Sequence, residues 1–205
     1  MDARRDGSRS RDRPILGQIE LGSYGTVQLA RDREPASGYP QRVNDDLIQA
    51  LESARTVRFL CSGNIVRSAF CELMGRQRGL PWTLDSAGTR FHNRRLYPET
   101  REALLERGLA PEVLDDFTPR HLDDLDDPPE GMVVLGMAEE HLAFWRDRWS
   151  TPAFRIAALL DETAHVADPV LEGASFPATF ERLERCLDAM AGLSPGSSGS
   201  ARRDA

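Results

Sequence analysis

Residues Thr56–Ser68 read TVRFLCSGNIVRS, and the join inside this stretch decides the fold. Thr56–Leu60 (TVRFL) is a short apolar, β-branched run of the kind that forms a buried strand. From Ser68 to Arg78 the apolar residues Phe70, Leu73 and Met74 fall at helical spacing. A strand running through a short loop into a helix is the first half of a βαβ unit. The pattern continues outward from it. Trp82–Ser86 is a second strand candidate. Tyr97–Arg107 is a helix, with Pro98 in its first turn and Gly108 as its stop. Gly131–Met137 (GMVVLGM) has the unbroken apolar character of a strand buried on both faces of a parallel sheet. Ala138–Trp149 is helical, Ala153–Leu160 is a fourth strand, and Pro177–Ala191 is a closing amphipathic helix. Upstream, Asp45–Ala54 is a short helix with Leu47, Ile48 and Leu51 on one side. This alternation predicts an α/β fold on a parallel sheet.

The 205 residues divide into an N-terminal extension over 1–44, a domain over 45–192 and a tail over 193–205. The extension opens with a mixed-charge stretch, Met1–Pro14, and the tail reads LSPGSSGSARRDA. Both are expected to be largely flexible. There are 33 acidic and 26 basic side chains, for a formal net charge of −7, which argues against nucleic acid as the main partner. No run of about 18 apolar residues is present to suggest a membrane span. The N-terminus carries no apolar core of a secretory signal. Three cysteines, too scattered for a disulfide framework, point to a reduced, cytoplasmic setting. Every one of the 26 basic residues is arginine, which removes every mechanism that needs a catalytic lysine.

The loop Cys61-Ser62-Gly63-Asn64-Ile65-Val66-Arg67-Ser68 lies at the carboxyl end of a strand, where open α/β sheets place ligands. Five residues between Cys61 and Arg67 can curl so that successive N–H groups point inward, forming an anion nest at the next helix N-terminus. Gly63 and Asn64 tolerate the left-handed backbone such a loop needs. Arg67 can grip two phosphate oxygens with its planar fork. Cys61 then sits beneath the anion, and the surrounding donors, Ser68 among them, favour its thiolate. Ser62, Gly63, Asn64, Ile65, Val66, Arg67 and Ser68 are thus the expected phosphate cradle, with Cys61 as nucleophile. The bland alternative is a buried structural cysteine at a strand end, with an arginine nearby by coincidence.

This loop resembles that of the low-molecular-weight protein tyrosine phosphatases, C-x-G-N-[IT]-C-R-S after a hydrophobic strand. Asp85-Ser86-Ala87-Gly88-Thr89 is similar to the family's S-A-G-T segment. Phe117-Thr118-Pro119-Arg120-His121-Leu122 resembles its arginine-containing turn, and Val166-Ala167-Asp168-Pro169 its late Asp-Pro motif. Order and spacing agree from Val57 to Leu187. The resemblance implies a doubly wound, three-layer sandwich with a four-stranded parallel sheet in the order 2-1-3-4. It also implies hydrolysis of a phosphate monoester, phosphotyrosine above all, through a cysteinyl-phosphate intermediate and without a cofactor. In that scheme Cys61, Arg67 and Asp168 are catalytic, Asp168 acting as acid and then base, with Ser68 and Ser86 supporting. The substrate is then a phosphorylated protein or a small phosphate monoester. Asp161, Glu162 and Glu172 are the carboxylates that compete with Asp168.

The chain departs from the family pattern in places. Val66 stands where many members carry a second loop cysteine, so no disulfide can form within the loop. Cys71 and Cys186 read as buried helix residues. Their positions supply no downstream cysteine pair for the arsenate reductases that share this fold, an alternative reading of the same loop. A phosphate-binding module without turnover is another. Ile65 occupies the position where members specialised for phosphoarginine carry threonine. Val170 and Leu171 replace aromatics that sandwich the substrate ring, and Phe91 or His92 is a candidate for one aromatic wall. Phe117 replaces a histidine that often supports the loop. Trp82 reads as core.

Three features stand outside this frame. Leu21–Asp32 carries a glycine pattern faintly like a kinase phosphate loop, but there is no lysine to serve it. The six aspartates at 115, 116, 123, 124, 126 and 127 read as a solvated face. His92, His121, His141 and His165 show no metal-ligand spacing with the cysteines, so no metal is expected. His165 lies close enough in sequence to Asp168 to be a candidate for tuning it.

Overall fold

The computed structural model describes residues 41–193 and 195. The expectations for the glycine-containing segment 21–32 and for nearly all of the two flanking tails lie outside these residues. The elements run α1 (Gln41–Ser53), β1 (Thr56–Cys61), α2 (Arg67–Gln77), β2 (Thr83–Gly88), α3 (Pro98–Glu106), α4 (Pro111–Asp115), β3 (Met132–Gly136), α5 (Glu139–Arg146), β4 (Ala153–Arg155) and α6 (Phe176–Ala191). Two 3-10 turns, Leu122–Asp124 and Ile156–Leu160, complete them. All four strands pair in parallel, in the order β2-β1-β3-β4.

Side-chain alternation along the strands builds two cores, one on each face of the sheet. Val57, Phe59 and Cys61 of β1, with Val133 and Leu135 of β3, join the apolar faces of α1, α2 and α6. Leu60, Met132 and Val134 point the other way and pack with Leu142 and Trp145 of α5. Burial on both faces accounts for the near-continuous apolar strands, and the result is the three-layer α/β sandwich expected. Arg58 is also on the α5 face. It is buried, paired through Nε and Nη2 to both carboxylate oxygens of Asp85 at 2.7 Å, and stacked over Trp145 at 5.4 Å. Asp85 is its register partner on β2, so sheet pairing itself supplies the counterion.

Several elements differ from the sequence expectation. The first helix begins at Gln41 rather than Asp45. The expected strand Ala153–Leu160 ends at Arg155, and Ile156–Leu160 winds into a 3-10 turn instead. β3 stops at Gly136, paired to Arg155, so nothing remains for a longer β4 to pair with. Ala157 and Ala158 are also of a residue type depleted in strands. The run is apolar because Ile156, Ala157 and Ala158 are buried in the larger core. Helix α5 closes at Arg146, three residues short of Trp149. The short helix α4, started by Pro111, has too few apolar positions to carry a periodic signal. The six aspartates from Asp115 to Asp127 are exposed, as a solvated face requires. Trp82 is core, buried, with Nε1 donating to the Leu51 carbonyl at 3.0 Å.

Candidate active site

β1 delivers Cys61 to its carboxyl end, and residues 62–66 curl back before α2 begins at Arg67. The curl turns on Asn64, whose φ of 55° is left-handed. Asparagine tolerates that region better than most residues, and the turn brings the Asn64 N–H onto Cys61 Sγ at 3.3 Å. The Asn64 side chain then ties the loop down from behind. Its Nδ2 donates to Ser86 Oγ at 2.7 Å and to Ser68 Oγ at 3.0 Å, and its Oδ1 accepts the Arg120 N–H at 2.8 Å. Because Ser68 Oγ already accepts from Asn64, its own proton is available to Cys61 Sγ, 3.0 Å away. Two donors therefore converge on the sulfur, at the N-terminus of α2. Ser86 in turn hydrogen-bonds Glu72, which pairs with Arg76 at 2.6 Å and Arg120 at 3.5 Å. Burial raises the Glu72 pKa, and Ser86, Arg76 and Arg120 only partly oppose it.

Gly88 explains the S-A-G-T segment. A Cβ there would lie 2.9 Å from the Gly63 carbonyl carbon and 3.1 Å from the Asn64 nitrogen, both backbone atoms. Only glycine lets β2 end against the loop. The chain beyond it stays on the loop: the Thr89 N–H donates to the Cys61 carbonyl at 2.9 Å, and the Arg90 and Phe91 N–H groups to the Ser62 carbonyl at 3.0 and 3.1 Å.

Arg67 is 1% exposed. Its Nη1 donates to the Val166 carbonyl at 2.7 Å and its Nη2 to Ser62 Oγ at 3.3 Å, while Nη2 also forms an ion pair with Asp168. Its Nε has no partner among the described residues. The fold thus joins two residues 101 positions apart. Asp168 is held by its own turn. Its Oδ1 accepts the N–H groups of Val170 and Leu171 at 2.9 and 3.3 Å, and its N–H donates to Glu172 Oε1 at 2.8 Å. The other carboxylate candidates are engaged elsewhere. Asp161 pairs with Asn44, Glu162 with Arg182, and Glu172 with His165. His165 therefore meets Asp168 only through Glu172, whose pKa burial would raise but the hydrogen bonds from His165 and Asp168 hold below the ordinary value.

The sequence reading leaves His141 unassigned, weighing it only as a metal ligand. It is fully buried just past the carboxyl end of β3, and topology alone marks strand ends as ligand positions. The Ala138 N–H donates to its Nδ1 at 3.0 Å, so the ring proton belongs on Nε2, which donates to Ser62 Oγ at 3.1 Å. Burial, with Arg67 and Arg90 nearby, brings its pKa down to about 3. Ser62 Oγ thus receives two donors, and its own hydrogen is left for a group in the cavity.

That cavity, about 250 Å³, is lined by Cys61, Ser62, Gly63, Ile65, Val66, Arg67 and Asp168, with Phe91, Asn93, Val170 and Leu171 at its walls. Asn64, Ser68 and Ser86 stand behind it. Phe91 supplies the aromatic wall; His92 instead stacks on His121, ring centroids 3.7 Å apart. A larger hollow of about 370 Å³ opens between the end of α1 and the start of β3, at the amino ends of the strands, and its described lining holds no cysteine, histidine or arginine.

A model of the low molecular weight phosphotyrosine protein phosphatase family matches residues 56–195, from the first residue of β1 to beyond the end of α6. The chain belongs to this family. Proteins of known structure share its fold. YfkJ from Bacillus subtilis is 23% identical with a TM-score of 0.55, the match covering 68% of this chain and 94% of that one. The Erwinia amylovora tyrosine phosphatase AmsI gives 21% and 0.55 over 69% and 94%. The arginine phosphatase YwlE of Geobacillus stearothermophilus gives 20% and 0.55 over 67% and 91%. No curated protein matches the sequence.

In this phosphatase Cys71 and Cys186 are buried helix residues with free thiols. Burial raises both, Cys71 well above the ordinary range and Cys186 to about 12. Among the described residues, His92, His121 and Asp123 bring donor atoms within 4.8 Å of one another. The two imidazoles are stacked, so their lone pairs run alongside each other rather than converging on one ion. No helix among the described residues is long and apolar enough to cross a membrane.

Proposed function

We propose that this phosphatase hydrolyses phosphotyrosine in proteins through a phosphocysteine on Cys61. One observation carries the reading: a sulfur with two hydrogen-bond donors, a buried arginine with an unpartnered Nε, and a carboxylate all meet in one 250 Å³ cavity at a helix N-terminus. The phosphoryl group takes the place of Asp168 on Arg67, receiving Nε and Nη2 as a bidentate pair, while the loop N–H groups and the Ser62 hydroxyl hold its other oxygens. The Cys61 thiolate attacks phosphorus, and the P–O bond to the leaving oxygen breaks. Asp168, released from Arg67 but held by the Val170 and Leu171 N–H groups, protonates that oxygen. In the second step the Asp168 carboxylate takes a proton from water as the water oxygen attacks phosphorus. The S–P bond breaks, the thiolate returns, and inorganic phosphate leaves.

Phe91 on one wall, with Val170 and Leu171 on the other, gives a flat ring an apolar slot, which supports an aryl phosphate over a purely polar one. A working free thiolate suits a reducing compartment, which supports the cytoplasm as its setting. The test is steady-state hydrolysis of p-nitrophenyl phosphate and a phosphotyrosyl peptide, with no metal or thiol reductant added. Vanadate-sensitive turnover, strongly reduced in Asp168→Ala, is expected. Turnover that requires a coupled thiol reductant would identify an arsenate reductase type of chemistry instead. Phosphate binding without turnover would leave only a binding module.

A further inference from the structure

Thirteen of the sixteen arginines with described side chains donate to, or pair with, an acceptor; Arg55, Arg94 and Arg95 do not. Two of the three are adjacent, exposed, and follow directly on Asn93, a wall residue of the catalytic cavity. Acid is not scarce in a chain with 33 acidic residues and a net charge of −7, yet these two cations meet none of it among the described residues. Nor are they on a loosely hung loop. Before them, Asn93 Nδ2 donates to the Gly63 carbonyl at 2.8 Å; after them, the Tyr97 N–H donates to the Ile65 carbonyl at 3.1 Å. The segment is stapled at both ends to the phosphate loop itself. Consecutive Cα atoms are about 3.8 Å apart, so the Cα atoms of Arg94 and Arg95 lie within about 8 Å of that of a cavity-lining residue.

Among the described residues, the rest of the rim is apolar or carries charges that are already paired. Val170 and Leu171 are apolar, Glu172 is paired to His165, and Arg90 faces Glu140 at 3.6 Å. A substrate whose phosphorylated ring enters the slot between Phe91 and Leu171 must run its flanking residues past this rim.

We propose that Arg94 and Arg95 form a docking site for carboxylate side chains flanking the phosphorylated residue, so that the preferred substrate is an acidic phosphotyrosyl segment of a protein. This rests on the phosphatase reading above. Exposed arginine–carboxylate pairs are individually weak. Two together give about a tenfold preference, felt chiefly in KM and screened by salt.

The test uses the full chain and three phosphotyrosyl peptides of equal length with acidic, neutral or basic flanks, beside p-nitrophenyl phosphate. The wild type is expected to favour the acidic over the neutral peptide about tenfold in kcat/KM, a preference that shrinks at high salt. In Arg94→Glu/Arg95→Glu the ranking should invert, the basic peptide overtaking the acidic one, a gain that damage to folding cannot produce. Equal turnover of the three peptides by the wild type would overturn the proposal, as would an acidic preference that survives in the double variant. Turnover of p-nitrophenyl phosphate but of no peptide would overturn it in favour of a small phosphate monoester. Failure to hydrolyse any of the four would overturn the phosphatase reading, and the docking site with it.

Discussion

Buried His141 makes the folded protein sensitive to acid in a way that can be assigned to a single ring. The folded pKa is about 3, against 6.5 for the ordinary side chain. Between those values the unfolded chain binds a proton that the folded chain does not, so stability rises with pH across the window. The contribution is complete above pH 6.5 and is lost as pH falls toward 3. At about 1.36 kcal/mol per pH unit, the full loss is capped at about 5 kcal/mol. Between about pH 7.5 and pH 5, linkage puts the cost at about 2 kcal/mol, a sizeable share of a typical domain's stability. The perturbation is His141→Gln, which keeps a polar group beside Ser62 but removes the titration. Urea unfolding of both proteins at the two pH values gives the four free energies, and the contributions of every other titrating group cancel in the difference. The wild type is expected to lose about 2 kcal/mol more than the variant on acidification. Parallel losses, within about 0.5 kcal/mol, would refute the burial of a neutral His141 and with it the Ala138–His141–Ser62 proton arrangement.

Three further outcomes follow from the geometry. Gly88→Ala should push the Gly63–Asn64 backbone out of place, costing about 1–3 kcal/mol in urea unfolding and more than tenfold in kcat/KM. Arg67→Lys should lower kcat/KM toward p-nitrophenyl phosphate by roughly a hundredfold, because one ammonium cannot hold the Val166 carbonyl and two phosphoryl oxygens together. Iodoacetamide followed by peptide mass spectrometry of the native protein should label Cys61 alone: all three cysteines are buried, but Cys61 lines the cavity, and burial keeps Cys71 and Cys186 protonated.

What the sequence disclosed was whatever leaves a local trace. Strand, loop and helix succeed one another in TVRFLCSGNIVRS, and Gly131–Met137 reads as a buried strand because both its faces are covered. Asn64 belongs to the loop motif and Ser86 to the S-A-G-T segment, and the two are joined by a hydrogen bond. The misread strand at Ala153–Leu160 has a different cause. An apolar run records burial, not backbone shape, and the length of β4 is set by where β3 ends. Contacts across long sequence separations left no local trace. Arg67 meets Asp168 across 101 residues and Ser62 meets His141 across 79, and neither pairing has a periodicity to find. Gly88 could be matched to a motif, but its reason, a backbone approaching within 3 Å of the space a Cβ would fill, exists only in three dimensions.

The central claim is that phosphorus passes through Cys61. Rapid acid quench of the full chain during turnover of p-nitrophenyl phosphate, followed by intact-mass and peptide analysis, tests it directly. One phosphoryl group on Cys61 in the wild type, absent together with all turnover in Cys61→Ser, is the result expected. Turnover that persists in Cys61→Ser, or a phosphoryl group trapped on any other residue, would contradict it.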